Sequence, residues 1–121
     1  MKKHILLVDD EAEILEVLKQ VLTLEGYEVT AANSADAARK VMQSAALDLM
    51  ITDLQLEDSD GLQLVEELKK VKPETPVILL TGVFFDPNVI EKTLSKKISG
   101  YMSKTAPLKD LLGEVRRHIG A

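Results

Sequence analysis

The sequence predicts an α/β fold: five parallel strands in one sheet, with helices on both faces. Three observations predict it. Short apolar runs alternate with amphipathic, helix-like stretches along the whole 121 residues. The connections between them are short, which favours right-handed crossovers and a parallel sheet. Two of the apolar runs also end on aspartates, the pattern of a site at the carboxyl ends of strands.

The elements follow in order. Residues 4–8 read as a buried strand ending at Asp9-Asp10. Residues 11–25 read as a helix, with Ile14, Leu15, Leu18, Val21 and Leu22 on one face. Gly26 suits the left-handed position after a helix end. Tyr27 to Ala31 alternates as an edge strand does. Ser34 is the expected N-cap of a helix through Ser44, buried through Ala38, Val41, Met42 and Ala45. Leu49 to Thr52 is the third strand, and it ends on Asp53. After an acidic loop closed by Gly61, a helix runs to about Lys70 on Leu64, Val65 and Leu68. Pro73 and Pro76 break the chain before a fourth strand, Val77 to Leu80. Asp86-Pro87 reads as an N-cap and first helical residue, opening the most polar helix of the set. Gly100 to Ser103 is a weak fifth strand. The last helix starts near Pro107, with Leu108, Leu111, Leu112, Val115 and Ile119 inward.

Composition narrows the function. One domain over residues 1–121 is expected, with 45% hydrophobic and 29% charged residues. A net charge of −5 argues against direct nucleic-acid binding. No apolar stretch approaches the ~20 residues that span a bilayer, so no membrane role is expected. The N-terminus is too short in apolar residues for a signal peptide, so a cytoplasmic location is expected. With no Cys, disulfides and thiol chemistry are excluded.

The strand order 2-1-3-4-5, the flavodoxin-like arrangement, sets strands one and three side by side and brings Asp9, Asp10 and Asp53 together. Three carboxylates repel one another unless a cation sits among them, and hard oxygen donors suit Mg2+. Thr81 ends the fourth strand and Lys104 follows the fifth. A hydroxyl and an ammonium both suit phosphoryl oxygens. Singly, a strand-end Thr is usually structural and a strand-end Lys usually solvated. Complementary groups at four strand ends favour a functional site. The glutamates at 11, 13, 16 and 57 read as solvated. His4 and His118 fall too far from this edge to take part, His118 being placed on the exposed face of the last helix.

The whole chain resembles the receiver domain of bacterial two-component response regulators. Leu6-Leu7-Val8-Asp9-Asp10-Glu11 is similar to the family's opening acidic motif. Asp53 to Gly61 has the spacing of its phosphoacceptor loop, Leu80-Thr81-Gly82 that of its switch-threonine segment, and Tyr101-Met102-Ser103-Lys104 its aromatic three residues before lysine. The resemblance implies that Asp53 accepts a phosphoryl group from a phosphohistidine. It implies that Asp10, Asp53 and the backbone carbonyl of Gln55 ligate Mg2+ (or Mn2+), with Asp9 acting through a metal-bound water. Thr81 and Lys104 would bind phosphoryl oxygens, and Thr81 and Tyr101 would switch together with the polar helix after Asp86. The implied partners are a sensor histidine kinase or phosphotransfer protein, and a downstream protein or a C-terminal output domain beyond residue 121. A homodimer fits the same pattern.

The chain departs from the family in three places. Thr105-Ala106 stand where proline usually follows the lysine, so a trans Lys104–Thr105 bond or a re-routed loop is expected. Glu57 replaces a common proline, predicting a more mobile and more acidic loop. Phe84-Phe85 lie just past the switch threonine and form a candidate partner surface. Two other functions compete. An Asp-nucleophile phosphohydrolase wants a second acid where Gln55 stands. A non-switching scaffold would not need the complete set of acceptor and metal groups.

Overall fold

The computed structural model describes residues 2–54, 56–58, 61–81 and 98–120, with Thr81 described by its backbone alone. The chain runs β1 (His4–Val8), α1 (Ala12–Leu24), β2 (Glu28–Ala32), α2 (Ala35–Ser44), β3 (Leu49–Thr52), α3 (Gly61–Val71), β4 (Val77–Thr81), β5 (Gly100–Ser103) and α4 (Leu108–Ile119). The helix expected from Asp86-Pro87 lies outside the described residues, as do Phe84, Phe85 and Gln55.

All strand pairs are parallel, in the order β2-β1-β3-β4-β5. This is the predicted flavodoxin-like order. The central strands are apolar at consecutive positions because both of their faces are covered. Ile5, Leu7, Leu49, Ile51, Ile78 and Leu80 pack with Leu15, Leu18 and Leu22 of α1 and with Leu111 and Val115 of α4. The intervening residues Leu6, Val8, Met50, Val77 and Leu79 pack with Ala35, Ala38 and Met42 of α2 and with Leu64, Val65 and Leu68 of α3. Each fully buried aliphatic side chain contributes about 1.5–3 kcal/mol relative to exposure.

The helix ends follow local chemistry. Ser34 Oγ accepts the Ala37 N–H at 3.1 Å and caps α2. Gly26 takes φ 100° after α1, where its N–H donates to the Thr23 carbonyl at 3.0 Å and the Tyr27 N–H to Leu22 at 3.2 Å. Arg39 of α2 clasps Glu67 of α3 at 2.6 Å and its own neighbour Asp36 at 2.8 Å, joining the two helices on one face.

Two expectations need correction. Leu108 does not point inward: it is 41% exposed although it shares the stripe of Leu111, Leu112 and Val115, because it stands in the open first turn of α4. His118 is not on the exposed face. Its side chain is 15% exposed, with Nε2 3.5 Å from Glu114 Oε2. Gly100 of β5 lies beside this pair: a Cβ there would press on Glu114 Oε2 at 3.1 Å and would meet His118 Nε2 at an ordinary 3.7 Å.

The two ladders of β1 run one residue past the strands. The Asp9 N–H donates to the Ala32 carbonyl at 3.1 Å, and the Asp53 N–H donates to the Val8 carbonyl at 3.1 Å. Both aspartates are thereby fixed at the carboxyl edge of the sheet, one strand apart.

Candidate functional site at the carboxyl edge of the sheet

Asp9 follows β1 and is 1% exposed; Asp53 follows β3 and is 6% exposed. Asp10 is half-buried beside them. The three carboxylates each offer an oxygen, and these oxygens lie within 4.8 Å of one another. Lys104 enters from the turn after β5. Its Nζ donates to Asp53 Oδ2 at 2.8 Å and lies 2.9 Å from Asp9 Oδ2. Asp9 uses its other oxygen, Oδ1, to accept the Glu11 N–H at 2.8 Å, which braces the entry to α1. Asp9 therefore has little freedom to turn.

The electrostatics are unbalanced. Burial pushes the Asp9 carboxyl above the ordinary aspartate range, and the hydrogen bonds from Lys104 and the Glu11 N–H offset this only in part. For Lys104, burial opposes the charge. Its hydrogen bonds to Asp53 and Asp9, and their negative charges, outweigh burial and hold the ammonium above the ordinary lysine range. The two directions agree physically: one ammonium sits among several acids, so it is strongly kept charged while each acid receives only a share of it.

That excess fits a hard cation. Octahedral Mg2+ takes oxygens at about 2.0–2.1 Å, so opposite ligands stand about 4.2 Å apart, and small side-chain shifts bring this set into range. Carboxylates with partial exposure through Asp10 also leave room for the waters that Mg2+ retains.

The loop after Asp53 is shaped to hold it. The Gly61 N–H donates to the Leu54 carbonyl at 2.7 Å, and a Cβ at Gly61 would overlap the Asp53 backbone carbonyl oxygen. The residue closing this loop must be glycine for lack of space. Thr52 Oγ1 donates to the same Asp53 carbonyl at 3.1 Å. The turn carrying Lys104 is held by Ser103. Its carbonyl accepts the Ala106 N–H at 3.0 Å, and its Oγ accepts the Thr105 N–H at 3.1 Å and lies 2.7 Å from Thr105 Oγ1. The Lys104–Thr105 bond is trans, one of the two expected outcomes, and the loop still delivers Lys104 to the acids.

A family model for the response regulator receiver domain matches residues 5–116. This chain belongs to that family. The receiver domain is 30% identical to a CheY-like receiver domain protein from Methanospirillum hungatei, with a TM-score of 0.91 over 98% of this chain and 94% of that one. It is 34% identical to the response regulator TrrA of Thermotoga maritima, solved in complex with Mg2+-BeF, with a TM-score of 0.83 over 95% of this chain and 97% of that one. Among curated proteins it is 41% identical over 90 residues to the transcriptional regulatory protein GlrR of Escherichia coli, covering 74% of this chain and 20% of GlrR. It is 29% identical over 114 residues to the regulatory protein VirG of Agrobacterium tumefaciens, covering 94% of this chain and 42% of VirG. The receiver domain thus spans a fifth to two-fifths of the length of these curated relatives. No described helix is long and apolar enough to cross a membrane.

Of the predicted site residues, Asp9, Asp10, Asp53 and Lys104 are brought together. Thr81 ends β4, paired with Ser103 of β5; its side chain lies outside the described residues. Tyr101 lies on β5, 41% exposed and in register with Leu79. Gln55, Phe84 and Phe85 lie outside the described residues.

Two acids were missed. Glu11, read as solvated, is 58% exposed, yet its Oε1 stands 3.4 Å from Lys104 Nζ. Asp58 was read as part of an acidic loop. Its Oδ1 accepts the Ala35 N–H at 2.9 Å and its Oδ2 the Asp36 N–H at 3.1 Å, so it caps α2 from another element. These two N–H groups hold the Asp58 carboxyl below the ordinary aspartate range. Neither contact has a periodic signal in the sequence. The acidic composition of both segments was the one available hint.

Proposed function

We propose that residues 1–121 form a receiver domain working as a phosphorylation-dependent switch in the cytoplasm, with Asp53 as the phosphoacceptor. The observation that carries this reading is the Lys104 ammonium bridging Asp53 and Asp9, 2.8 and 2.9 Å from their carboxylates, beside Asp10. An Asp53 carboxylate oxygen attacks the phosphorus of a phosphohistidine on a sensor histidine kinase or phosphotransfer protein. The P–N bond breaks, its electron pair returns to the imidazole, and an acyl phosphate forms on Asp53. Such transfer depends on in-line positioning and charge neutralisation more than on proton chemistry.

Asp10, Asp53 and the Gln55 carbonyl would hold Mg2+, with Asp9 reaching it through water. The ion would neutralise charge on the phosphoryl oxygens. The Mg2+-BeF complex of the TrrA relative supports this choice of ion. Asp9 orients Lys104, and Lys104 passes from Asp53 to a phosphoryl oxygen as charge builds there. Thr81 binds another oxygen, and Tyr101 fills the space it leaves. The result is a population shift at β5 and the segment after Thr81. The output belongs to a downstream protein or to a further domain of the kind that lengthens the curated relatives. The chain itself is a signalling domain, catalysing at most its own phosphorylation and dephosphorylation.

The test is incubation with acetyl phosphate and Mg2+, read by intact mass. One phosphoryl group per chain is expected, lost on chelation and in Asp53→Asn. Unlabelled wild-type protein would overturn the reading. Multiple-turnover hydrolysis of an ordinary phosphomonoester would replace it with a phosphohydrolase.

A further inference from the structure

We infer that Asp58 is a positioning residue: it anchors the loop that follows Asp53 to the N-terminus of α2, and so sets how well the acid cluster takes up its cation. The inference rests on the function proposed above.

The loop leaves β3 at Asp53 and re-enters α3 at Gly61, and it is fixed at its base by the Gly61 N–H on the Leu54 carbonyl. A base contact alone leaves the tip of a surface loop free to swing. Asp58 sits toward that tip and reaches across to α2, where one carboxylate takes two backbone N–H groups, of Ala35 at 2.9 Å and Asp36 at 3.1 Å. These are donors of the first turn, which have no partner within the helix. Charge-assisted bonds to such donors are the stronger kind, and the helix dipole adds to them.

Two features make this more than an ordinary cap. Ser34 already caps α2 through the Ala37 N–H, so the helix does not depend on Asp58 for a start. And α2 is itself clasped to α3 by Arg39 and Glu67 at 2.6 Å. Leu54 is thereby held to the start of α3 and Asp58 to the start of α2, and the two helices are clasped to each other. Glu57, which stands where the family commonly has proline, is exposed; its neighbour Asp58 supplies a restraint through space.

The test compares Asp58→Ala, Asp58→Asn and Ser34→Ala with the wild type, using Mg2+ alone as the titrant, followed by amide chemical shifts, and acetyl phosphate labelling rates at low and saturating Mg2+. Asp58→Ala is expected to weaken Mg2+ binding several-fold and to slow labelling at low Mg2+, with the rate recovering at saturation. Asp58→Asn keeps one acceptor for α2 but loses the charge and the second acceptor, so its affinity should fall between those of Asp58→Ala and the wild type. Ser34→Ala uncaps α2 without touching the loop and should leave the Mg2+ constant unchanged. In Mg2+-free protein, Asp58→Ala should speed amide exchange at Ala35, Asp36 and Gly61.

Equal losses of Mg2+ affinity in Asp58→Asn and Asp58→Ala, with Gly61 exchange at the wild-type rate in both, would assign the effect to charge near the cation and overturn the anchor. So would a loss of the same size in Ser34→Ala, or an unchanged Mg2+ constant and unchanged Gly61 exchange in Asp58→Ala. A wild-type protein that takes up neither Mg2+ nor a phosphoryl group sinks the proposed function instead, whatever the variants do.

Discussion

The two ends of the sheet treat polar groups in opposite ways. At the amino end, His4 ties three segments together. Its Nδ1 donates to the Ala46 carbonyl at 2.9 Å, its Nε2 lies 2.7 Å from Thr30 Oγ1, and its backbone N–H donates to Asp48 Oδ2 at 2.8 Å. With the proton on Nδ1, Nε2 accepts from the threonine hydroxyl, and each group meets its complement. At the carboxyl end, Asp9, Asp10 and Asp53 crowd within 4.8 Å, with Lys104 as the cation beside them among the described residues. Matched polar groups hold strands in register. Crowded like charges do the reverse: they raise the energy of the folded chain and leave it responsive to a cation or to a change of charge on Asp53.

Removing Lys104 should widen the difference most. Lys104→Met leaves Asp9 and Asp53 buried without their ammonium, and breaking such a pair costs about 3 kcal/mol. Urea denaturation at neutral pH without Mg2+ should show that loss, and added Mg2+ should recover more stability in the variant than in the wild type. An unchanged midpoint would mean that the acids are solvated well enough to need no partner, and the contrast between the two ends would fall.

The matched end should respond more modestly and in a different currency. His4→Leu leaves the Ala46 carbonyl and Thr30 hydroxyl to find water, at about 1–2 kcal/mol. The loss should be the same with and without Mg2+, and acetyl phosphate labelling of Asp53 should keep its wild-type rate. A change in labelling would show that the amino end communicates with the site, against the division drawn here.

The sequence showed the crowded end better than the matched one. Apolar runs that stop on Asp9-Asp10 and Asp53 are a local pattern, and parallel order alone then brings them together. Lys104 was legible from its place after a strand that aligns with the others. His4 looked like a bystander because its partners, Ala46 and Thr30, lie 42 and 26 residues away and carry no motif. Asp58 was hidden for the same reason, with Ala35 23 residues distant. His118 was misplaced because three basic residues in the last turn of α4 read as one solvated face, while the His118 ring lies against Glu114 one turn earlier. Leu108 was misplaced because helical periodicity gives the direction of a stripe but not where along the helix its neighbours begin.

Asp58 is the exception that sharpens the comparison, since it stands at the crowded end yet is matched like His4. Its folded pKa is lowered by the Ala35 and Asp36 N–H groups, so the folded state binds its proton more weakly than the unfolded chain does. The stability it contributes is therefore present above the unfolded aspartate value, about 3.9, and lost as pH falls through the folded value. Because the carboxylate is exposed, the effect should be the smallest of the series. The melting temperature of Asp58→Ala should lie below that of the wild type at neutral pH, and the gap should close in acid below the ordinary aspartate range. Asp9 shifts in the opposite direction, through burial, so the two aspartates separate by the sign of their response. A gap that stays constant from neutral pH into acid would mean that Asp58 acts through its shape and not through its charge-assisted bonds to α2.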